Sequence, residues 1–319
     1  MRWIGLAVGL AALLALGACG ERAADPNLSG WRKEMGQIRI GANASEDSEA
    51  ALARLKSYQA YITNSTGLPV KVFQAADYNG IIQAMASGQL EMATMGPAAY
   101  ANARAQMGEK VAPILVPRTS EGSWGYYSTI VVRADSPYRT LADLRGKTVG
   151  YVDFNSASGY LYPRYALQRQ GIKPDTYFGK SAITGGHTQG VLALQNGQFD
   201  AVFMVASGGT PATGFTTGSI HTLAQRGMLK LEDFRILWSA GPIPNSPYVI
   251  RTDRPQIFRD TLRGALASMA YDDPEIWHEL GLGDGSDMKP MQPSDYKDIV
   301  AMRNAEVSSR RSNATGGGQ

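Results

Sequence analysis

The stretch "YVDFNSASGYLYPRY" at residues 151–165 contains the local pattern from which the fold of this chain can be inferred. It begins like the end of a buried strand and finishes like an amphipathic helix. Small residues lie between the two parts, namely Asn155, Ser156, Ser158 and Gly159. In sheets whose strands alternate with helices, such strand-to-helix turns lie where ligands bind. The stretch therefore indicates an α/β fold and marks a candidate binding turn.

The same alternation of strand and helix runs through the rest of the chain. "QIRIGAN" (37–43) and "PVKVFQA" (69–75) are typical of buried strands, and an amphipathic helical segment follows each. One of these helices is predicted to begin after Asp77, a favourable N-cap, and to end near Gly88. The repeated units predict a mostly parallel sheet with helices on both faces. The pattern then restarts, which predicts a second α/β lobe facing the first across a cleft.

Composition and charge exclude several classes of protein. The chain has 319 residues, 44% hydrophobic and 18% charged, as in a soluble globular protein of about two domains. A net charge of +3 with scattered Lys and Arg argues against a nucleic-acid partner. The three histidines include no pair at i, i+4 spacing and the chain has one cysteine, so we expect neither a metal site nor a cofactor.

The N-terminus has the pattern of a secretory signal. Arg2 precedes an apolar run at residues 4–16, which is too short to span a bilayer comfortably. The run ends in "LGAC", which resembles the bacterial lipobox, whose cysteine is lipidated. We therefore predict a lipoprotein signal at residues 1–19 with a lipid-anchored Cys19, then a tether at 20–36, and a location in the periplasm or on the outer face of the cell membrane. The alternative is an ordinary cleaved signal with an incidental cysteine.

Five segments together resemble a known family. In order and spacing they are similar to the phosphonate/phosphite-binding proteins of ABC importers, and the similarity covers residues 37–302. The segments are "ADYNGIIQAM", "GQLEMATMGPAAYANA", "GYYSTIVVRADSPYRTLADLRGKTVGYVDFNSASGYLYPRYAL", "GGHTQGVLALQNGQFDAVFM" and "ILWSAGPIPNSPYVIR".

This resemblance implies a type II periplasmic binding fold, in which two crossover strands join two α/β lobes around a ligand cleft. The crossovers would be residues 128–135 and 236–244. Lobe 1 would then comprise residues 37–132 and 240–305, and lobe 2 residues 133–239. The polar tail at 306–319 is expected to be disordered.

The family also implies a ligand with a phosphorus–oxygen head group, and the opening stretch offers a place for it. A helix start carries partial positive charge and backbone N–H groups without partners, which bind anions. Ser156 and Ser158 would add hydroxyl donors, and Gly159 would let the backbone close around the anion. The alternative is that Ser156 or Ser158 simply caps the helix, a role compatible with binding.

Other candidates come from positions that match the family or lie at similar junctions. His187 and Tyr78 match ligand-contacting residues of the family, and the ring of His187 is expected to face an open, wet cleft. Their alternatives are a surface or capping histidine and a surface tyrosine. Tyr100 follows another strand-to-helix turn and is either a ligand residue or a core aromatic. Tyr127 and Ser128 open the first crossover, where a side chain can face the cleft.

The sequence departs from the family at two positions. Aminoalkylphosphonate binders hold the ligand's amine with acidic residues, whereas Ser207 and Ser246 stand near those positions here. A buried cation without a counter-charge costs several kcal/mol. The ligand is therefore predicted to be small and purely anionic: phosphite, phosphate, hypophosphite or methylphosphonate. A pocket cysteine, which holds arsenite in a relative of the family, is lacking.

An enzyme is not expected, since the sequence contains no G-x-S-x-G, G-x-G-x-x-G or P-loop motif. The prediction is a monomeric solute-binding protein that captures a tetrahedral oxyanion and delivers it to the permease of an ABC importer. The alternative is a binding protein that reports the oxyanion to a membrane sensor kinase.

Overall fold

The computed structural model describes residues 28–43, 48–75, 77–119, 121–280, 282 and 287–316, without the side chains of 43–54 and 312–316. The predicted signal at 1–19, with Cys19, lies outside the described residues. The strands are β1 Ile38–Asn43, β2 Val70–Ala75, β3 Met92–Thr94, β4 Val111–Pro117, β5 Gly125–Arg133, β6 Thr148–Tyr151, β7 Lys180–Ile183, β8 Ala201–Ser207, β9 Thr217–Gly218, β10 Phe234–Pro244, β11 Tyr248–Arg251 and β12 Met288–Pro290. The α-helices are α1 Gly30–Met35, α2 Ser48–Thr66, α3 Tyr78–Ala86, α4 Pro97–Met107, α5 Tyr162–Arg169, α6 Pro174–Tyr177, α7 His187–Gln195, α8 Ser219–Gln225, α9 Gln256–Asp272, α10 Pro274–Glu279 and α11 Lys297–Gly316.

The first lobe is built on a sheet in the order β12-β4-β11-β3-β1-β2. Strand β1 pairs in parallel with β2 and β3, whereas β11 runs antiparallel to β3 and β4. Successive residues of a strand face opposite sides of a sheet. Met92 accordingly packs with residues of α2 and α9, and its neighbour Ala93 packs with residues of α3 and α4. Helices therefore cover both faces, as the alternating pattern predicted.

The second lobe has a sheet in the order β10-β5-β8-β6-β7, with β9 paired to β8. Strand β6 is parallel to β7 and β8. Phe203 of β8 packs with Leu161 and Leu167 on one face, and the next residue, Met204, packs with Leu194 of α7 on the other. Each lobe thus has its own apolar core.

The predicted crossovers are strands of the second sheet. Strands β5 and β10 pair antiparallel along their whole length, from Phe234 opposite Arg133 to Pro244 opposite Gly125. Residues 125–132 and 240–244, assigned to lobe 1 from the sequence, therefore lie in lobe 2. The sheets are mixed and not mostly parallel, because these two connecting strands and β4, β11 and β12 pair antiparallel.

The described parts of the predicted tether and of the predicted tail are ordered elements of the fold. In the predicted tether, α1 packs on the first lobe, with the Trp31 ring centroid 5.9 Å from that of Phe258. In the predicted disordered tail, α11 continues to Gly316, and Tyr160 of the second lobe donates to Glu306 at 3.2 Å. Apolar contacts hold the first segment, and the half-buried Glu306 holds the second, although the composition of both looked polar.

Candidate functional site

The two lobes enclose a cleft of about 790 Å³. The last residues of β1 and β3 reach it, as do the first residues of α3 and α7. Six of the predicted site residues line this cleft: Tyr78, Ser156, Ser158, His187, Ser207 and Ser246. Five others lie outside its lining: Tyr100, Tyr127, Ser128, Asn155 and Gly159.

The turn in the middle of residues 151–165 contains a capped helix start that lines the cleft. One π-helical turn, Ala157–Leu161, runs directly into α5. Ser156 is its N-cap, and the Ser156 Oγ accepts a hydrogen bond from the Gly159 N–H at 3.0 Å. The Ser158 Oγ has no hydrogen-bond partner within the described part of the chain. Capping is thus the role of Ser156, and the Ser158 hydroxyl is available to a ligand.

Three predicted site residues shape this turn without facing the cleft. A Cβ at Gly159 would lie 2.4 Å from the Val152 side chain, so only glycine lets the turn pack this closely on the end of β6. Asn155 is buried, and its Oδ1 accepts from the Asn102 Nδ2 of α4 at 2.8 Å. Ser128, buried in β5, bonds the turn through its hydroxyl. Each of the three therefore supports the candidate binding turn without lining the cleft.

His187 is the first residue of α7 and contributes an uncharged imidazole. Its side chain is half-buried, because α7 packs on the second sheet, so the ring is less exposed than the sequence suggested. Its Nδ1 is buried and has no hydrogen-bond partner among the described residues. Burial lowers the pKa of His187 to about 4. At neutral pH the ring therefore carries one N–H donor and no charge.

The first lobe adds two further helix starts. Tyr78 is the first residue of α3, and the Asp77 carboxylate caps that helix by accepting from the Gly80 N–H at 2.7 Å, as the sequence predicted. Gly96 is the N-cap of α4, with Pro97 at its first position. Helix starts combine partial positive charge with free N–H groups. Four of them around one cleft, including those at Ser156 and His187, favour an anionic ligand.

Two predicted tyrosines face away from the cleft. Tyr100 is fully buried in the first lobe, with its ring centroid 5.4 Å from that of Tyr296. Tyr127 packs against Phe215, and their ring centroids lie 5.2 Å apart. The neighbouring Tyr126 lines the cleft instead, because successive strand residues face opposite sides. Sequence reasoning missed Tyr126 by one residue, and the double tyrosine was the signal that could have raised it.

Hydroxyls line the part of the cleft around Ser207, one of the two positions at which the resemblance led us to look for acidic residues. The Ser207 Oγ lies 2.7 Å from the Thr217 Oγ1, and both residues face the cleft. In the described lining the charged side chains are Arg118, Glu121 and Arg226. Thr217, Thr94 and the arginines are further lining residues that the sequence did not single out. They add hydroxyl and cationic donors to the site.

In the residues that the structure covers, no group of three or more His, Cys, Asp and Glu side chains could hold a metal ion. Among the helices described, none is long and apolar enough to cross a membrane. Beside the Glu121 carboxylate, the described lining offers hydroxyls, backbone N–H groups, side-chain amides, an imidazole and guanidinium groups, which can donate hydrogen bonds to an anion.

Comparison with known proteins agrees with this chemistry. The family model of the ABC transporter phosphonate periplasmic substrate-binding protein matches residues 40–296. The phosphate-import protein PhnD of Mycolicibacterium smegmatis is 31% identical over 254 residues, which cover 77% of this chain and 75% of that protein. The phosphonates-binding periplasmic protein of Escherichia coli is 30% identical over 230 residues, 70% of this chain and 64% of that protein.

Solved structures show the same fold. A binding protein component of an ABC phosphonate transporter from Pseudomonas aeruginosa has a TM-score of 0.71 and 22% identity, covering 87% of this chain and 88% of that one. PhnD1 from Prochlorococcus marinus, in complex with methylphosphonate, has a TM-score of 0.70 and 15% identity, covering 84% and 97%. The predicted type II periplasmic binding fold is thereby confirmed. With the family match over most of the sequence, this chain belongs to the periplasmic substrate-binding proteins of phosphonate ABC transporters.

Proposed function

We propose that the protein captures a small phosphorus oxyanion in its cleft and delivers it to the permease of an ABC importer. The observation that supports this most directly is the free Ser158 hydroxyl beside a helix start that Ser156 already caps. A tetrahedral anion at that point would accept hydrogen bonds from the first N–H groups of the turn and from Ser158. His187 and Tyr78 line the same cleft and would donate from its other sides.

The ligand in this proposal carries no ammonium group. Ser207 and Ser246 offer hydroxyls, not carboxylates, and a cation buried without a counter-charge costs several kcal/mol. Phosphite, methylphosphonate, phosphate and hypophosphite all fit this description. The proposal further places the protein as a monomer at the outer face of the cell membrane, held by a lipid on Cys19.

Calorimetry on the mature protein tests the ligand class. Phosphite, phosphate, methylphosphonate, hypophosphite, aminoethylphosphonate and sulfate are titrated separately, and we expect one of the first four to bind at one per chain. Ser158→Ala should weaken that binding about tenfold, roughly the lower value of a hydrogen bond to a charged group. Ser181→Ala, on the exposed strand β7, is the matched control and should bind like the parent. If none of these anions binds at millimolar concentration, the proposed function is wrong.

A further inference from the structure

The loop that leads into the binding turn is held by two helices outside its own sheet. The Arg303 Nη2 of α11 donates to the carbonyl oxygen of Phe154 at 2.6 Å. The Asn102 Nδ2 of α4 donates to the Asn155 Oδ1 at 2.8 Å. The two residues immediately before the Ser156 cap are therefore both fixed by side chains of other elements.

These two helices connect the lobes. Just before α11, Tyr296 is buried in the first lobe's core and donates from its hydroxyl to the Asn245 carbonyl at 2.8 Å. Three residues later, Ile299 is buried in the second lobe's core, together with Ala98 and Ala101 of α4. Helices α4 and α11 thus form a packed connection between the lobes, and their side chains contact the loop that precedes the binding turn.

Arg303 lies in a cluster that leaves its guanidinium little freedom. Its side chain is 6% exposed, and its Nη1 lies 3.3 Å from the Glu306 carboxylate. Glu306 also pairs with Arg310 and accepts from the Tyr160 hydroxyl at 3.2 Å. The Arg310 guanidinium carbon lies 4.3 Å from the centroid of the Phe154 ring. Both ends of the segment 154–160 are therefore held by α11.

We propose that Arg303 and Asn102 are positioning residues for oxyanion binding. By holding residues 154 and 155 they keep the following helix start aimed at the cleft before a ligand arrives. This inference rests on the proposed function, since it assumes that the anion binds at that turn. A loop that is already ordered does not lose conformational freedom on binding, and its affinity is higher for that reason.

The test compares binding and loop order in the full mature protein. Dissociation constants for phosphate and methylphosphonate are measured well below each variant's melting temperature, so that only folded protein is titrated. Arg303→Met and Asn102→Ala should each weaken binding about tenfold, and the double variant should lose less than the product of the two. Amide hydrogen exchange at residues 155–161 of the ligand-free protein should become faster in both variants. Lys297→Met removes an exposed cation from the same helix and should change neither quantity.

Each outcome decides the inference. If Arg303→Met binds as tightly as the parent and exchanges at the parent rate, the inference is overturned, even when the variant melts earlier. If Arg303→Met does not fold, the same measurements are made on Asn102→Ala and Arg303→Lys. Arg303→Lys should then lose less affinity than Asn102→Ala. If the parent binds neither anion, phosphite and hypophosphite are titrated in their place. The proposed function fails if none of the four binds, and unchanged exchange at 155–161 in the variants would still overturn the positioning role.

Discussion

The Ser128 Oγ donates a hydrogen bond of 2.6 Å to the carbonyl oxygen of Ser158. Ser128 is fully buried in β5, one of the two strands through which the chain passes between the lobes. The bond therefore ties the binding turn to the connection between the lobes. Ser128 contributes to the site by fixing the main chain of Ser158 and has no contact with the cleft itself.

Ser128→Ala should destabilise the protein by about 1–3 kcal/mol, because it leaves the Ser158 carbonyl buried without a donor. Urea unfolding of the ligand-free protein measures this cost. Thr129→Val is the matched control, since Thr129 is equally buried but makes a longer bond, 3.3 Å to the Met204 carbonyl. Its cost should be smaller. Equal losses of stability in the two variants would show that the Ser128 hydrogen bond contributes no more to the free energy of unfolding than the Thr129 bond.

The two serines of the turn should respond differently to alanine. Ser156→Ala should lose about 1 kcal/mol of stability, since it removes an N-cap, and should also bind more weakly. Ser158→Ala should lose affinity while the melting temperature of the ligand-free protein stays near that of the parent. Thermal unfolding without ligand and calorimetry with ligand are measured for both. A Ser158→Ala protein that melts as early as Ser156→Ala contradicts the division of roles.

The two neighbouring tyrosines of β5 should be separable by removing one hydroxyl at a time. Burial raises the pKa of Tyr126 far above its ordinary value, so its hydroxyl stays a donor at any physiological pH. Tyr126→Phe should therefore weaken oxyanion binding by about 1.5–3 kcal/mol if that donor meets the anion. Tyr127→Phe is the control and should bind like the parent, because Tyr127 packs on Phe215. The opposite ranking would place the cleft on the other face of β5.

Local features of the sequence were predictable because nearby residues determine them. The Asp77 cap and the helix it starts are examples, since the cap and its partner Gly80 lie three residues apart. The strand-to-helix turn at Ser156 is another, because its small residues are consecutive. The fold class and the family followed from the order of such local pieces along the chain.

Features that depend on distant partners were not predictable in this way. Whether Tyr126 or Tyr127 faces the cleft is set by the register in which Tyr127 pairs with Ala206. The polar C-terminal residues looked disordered, yet Glu306 meets Tyr160, which lies 146 residues earlier. No pattern within either segment shows these contacts. Which face of β5 lines the cleft, and where α11 ends, could therefore be determined only from the structure.

Stability in mildly acidic solution should depend on His187. The pKa of the ring is lowered by burial from 6.5 to about 4, so below pH 6.5 the unfolded chain takes up this proton first. The contribution of neutral His187 is complete above pH 6.5 and is lost as the pH falls towards 4. The upper bound is roughly 3–4 kcal/mol, since one pKa unit corresponds to about 1.4 kcal/mol.

His187→Gln should therefore show a smaller loss of unfolding free energy than the parent between pH 6.5 and 4. Other groups with shifted pKa values add to the pH dependence: burial lowers the pKa of His221, which acts in the same direction, and raises that of Asp153, which opposes it. Both are present in parent and variant, so the difference between the two curves isolates His187. His221→Gln is the comparison variant and should also flatten the curve, because burial lowers the pKa of that ring as well. If the unfolding free energies of parent and His187→Gln fall in parallel between pH 6.5 and 4, the lowered pKa of the His187 ring is ruled out.

Selectivity against aminated ligands should reside partly in Ser207. The parent should bind methylphosphonate more tightly than aminoethylphosphonate, because the Ser207 hydroxyl, 2.7 Å from that of Thr217, cannot neutralise an ammonium group. Ser207→Asp places a carboxylate at this wall of the cleft. It should weaken methylphosphonate binding by repulsion. It should also shift the ratio of the two dissociation constants in favour of aminoethylphosphonate by at least about tenfold, roughly 1.4 kcal/mol. Ser181→Asp makes the same charge change on exposed β7 and should leave the ratio unaltered. Calorimetry at low and physiological salt separates the local effect from the general field, which salt screens. A parent that already prefers aminoethylphosphonate tenfold would show that another group in the cleft supplies the counter-charge.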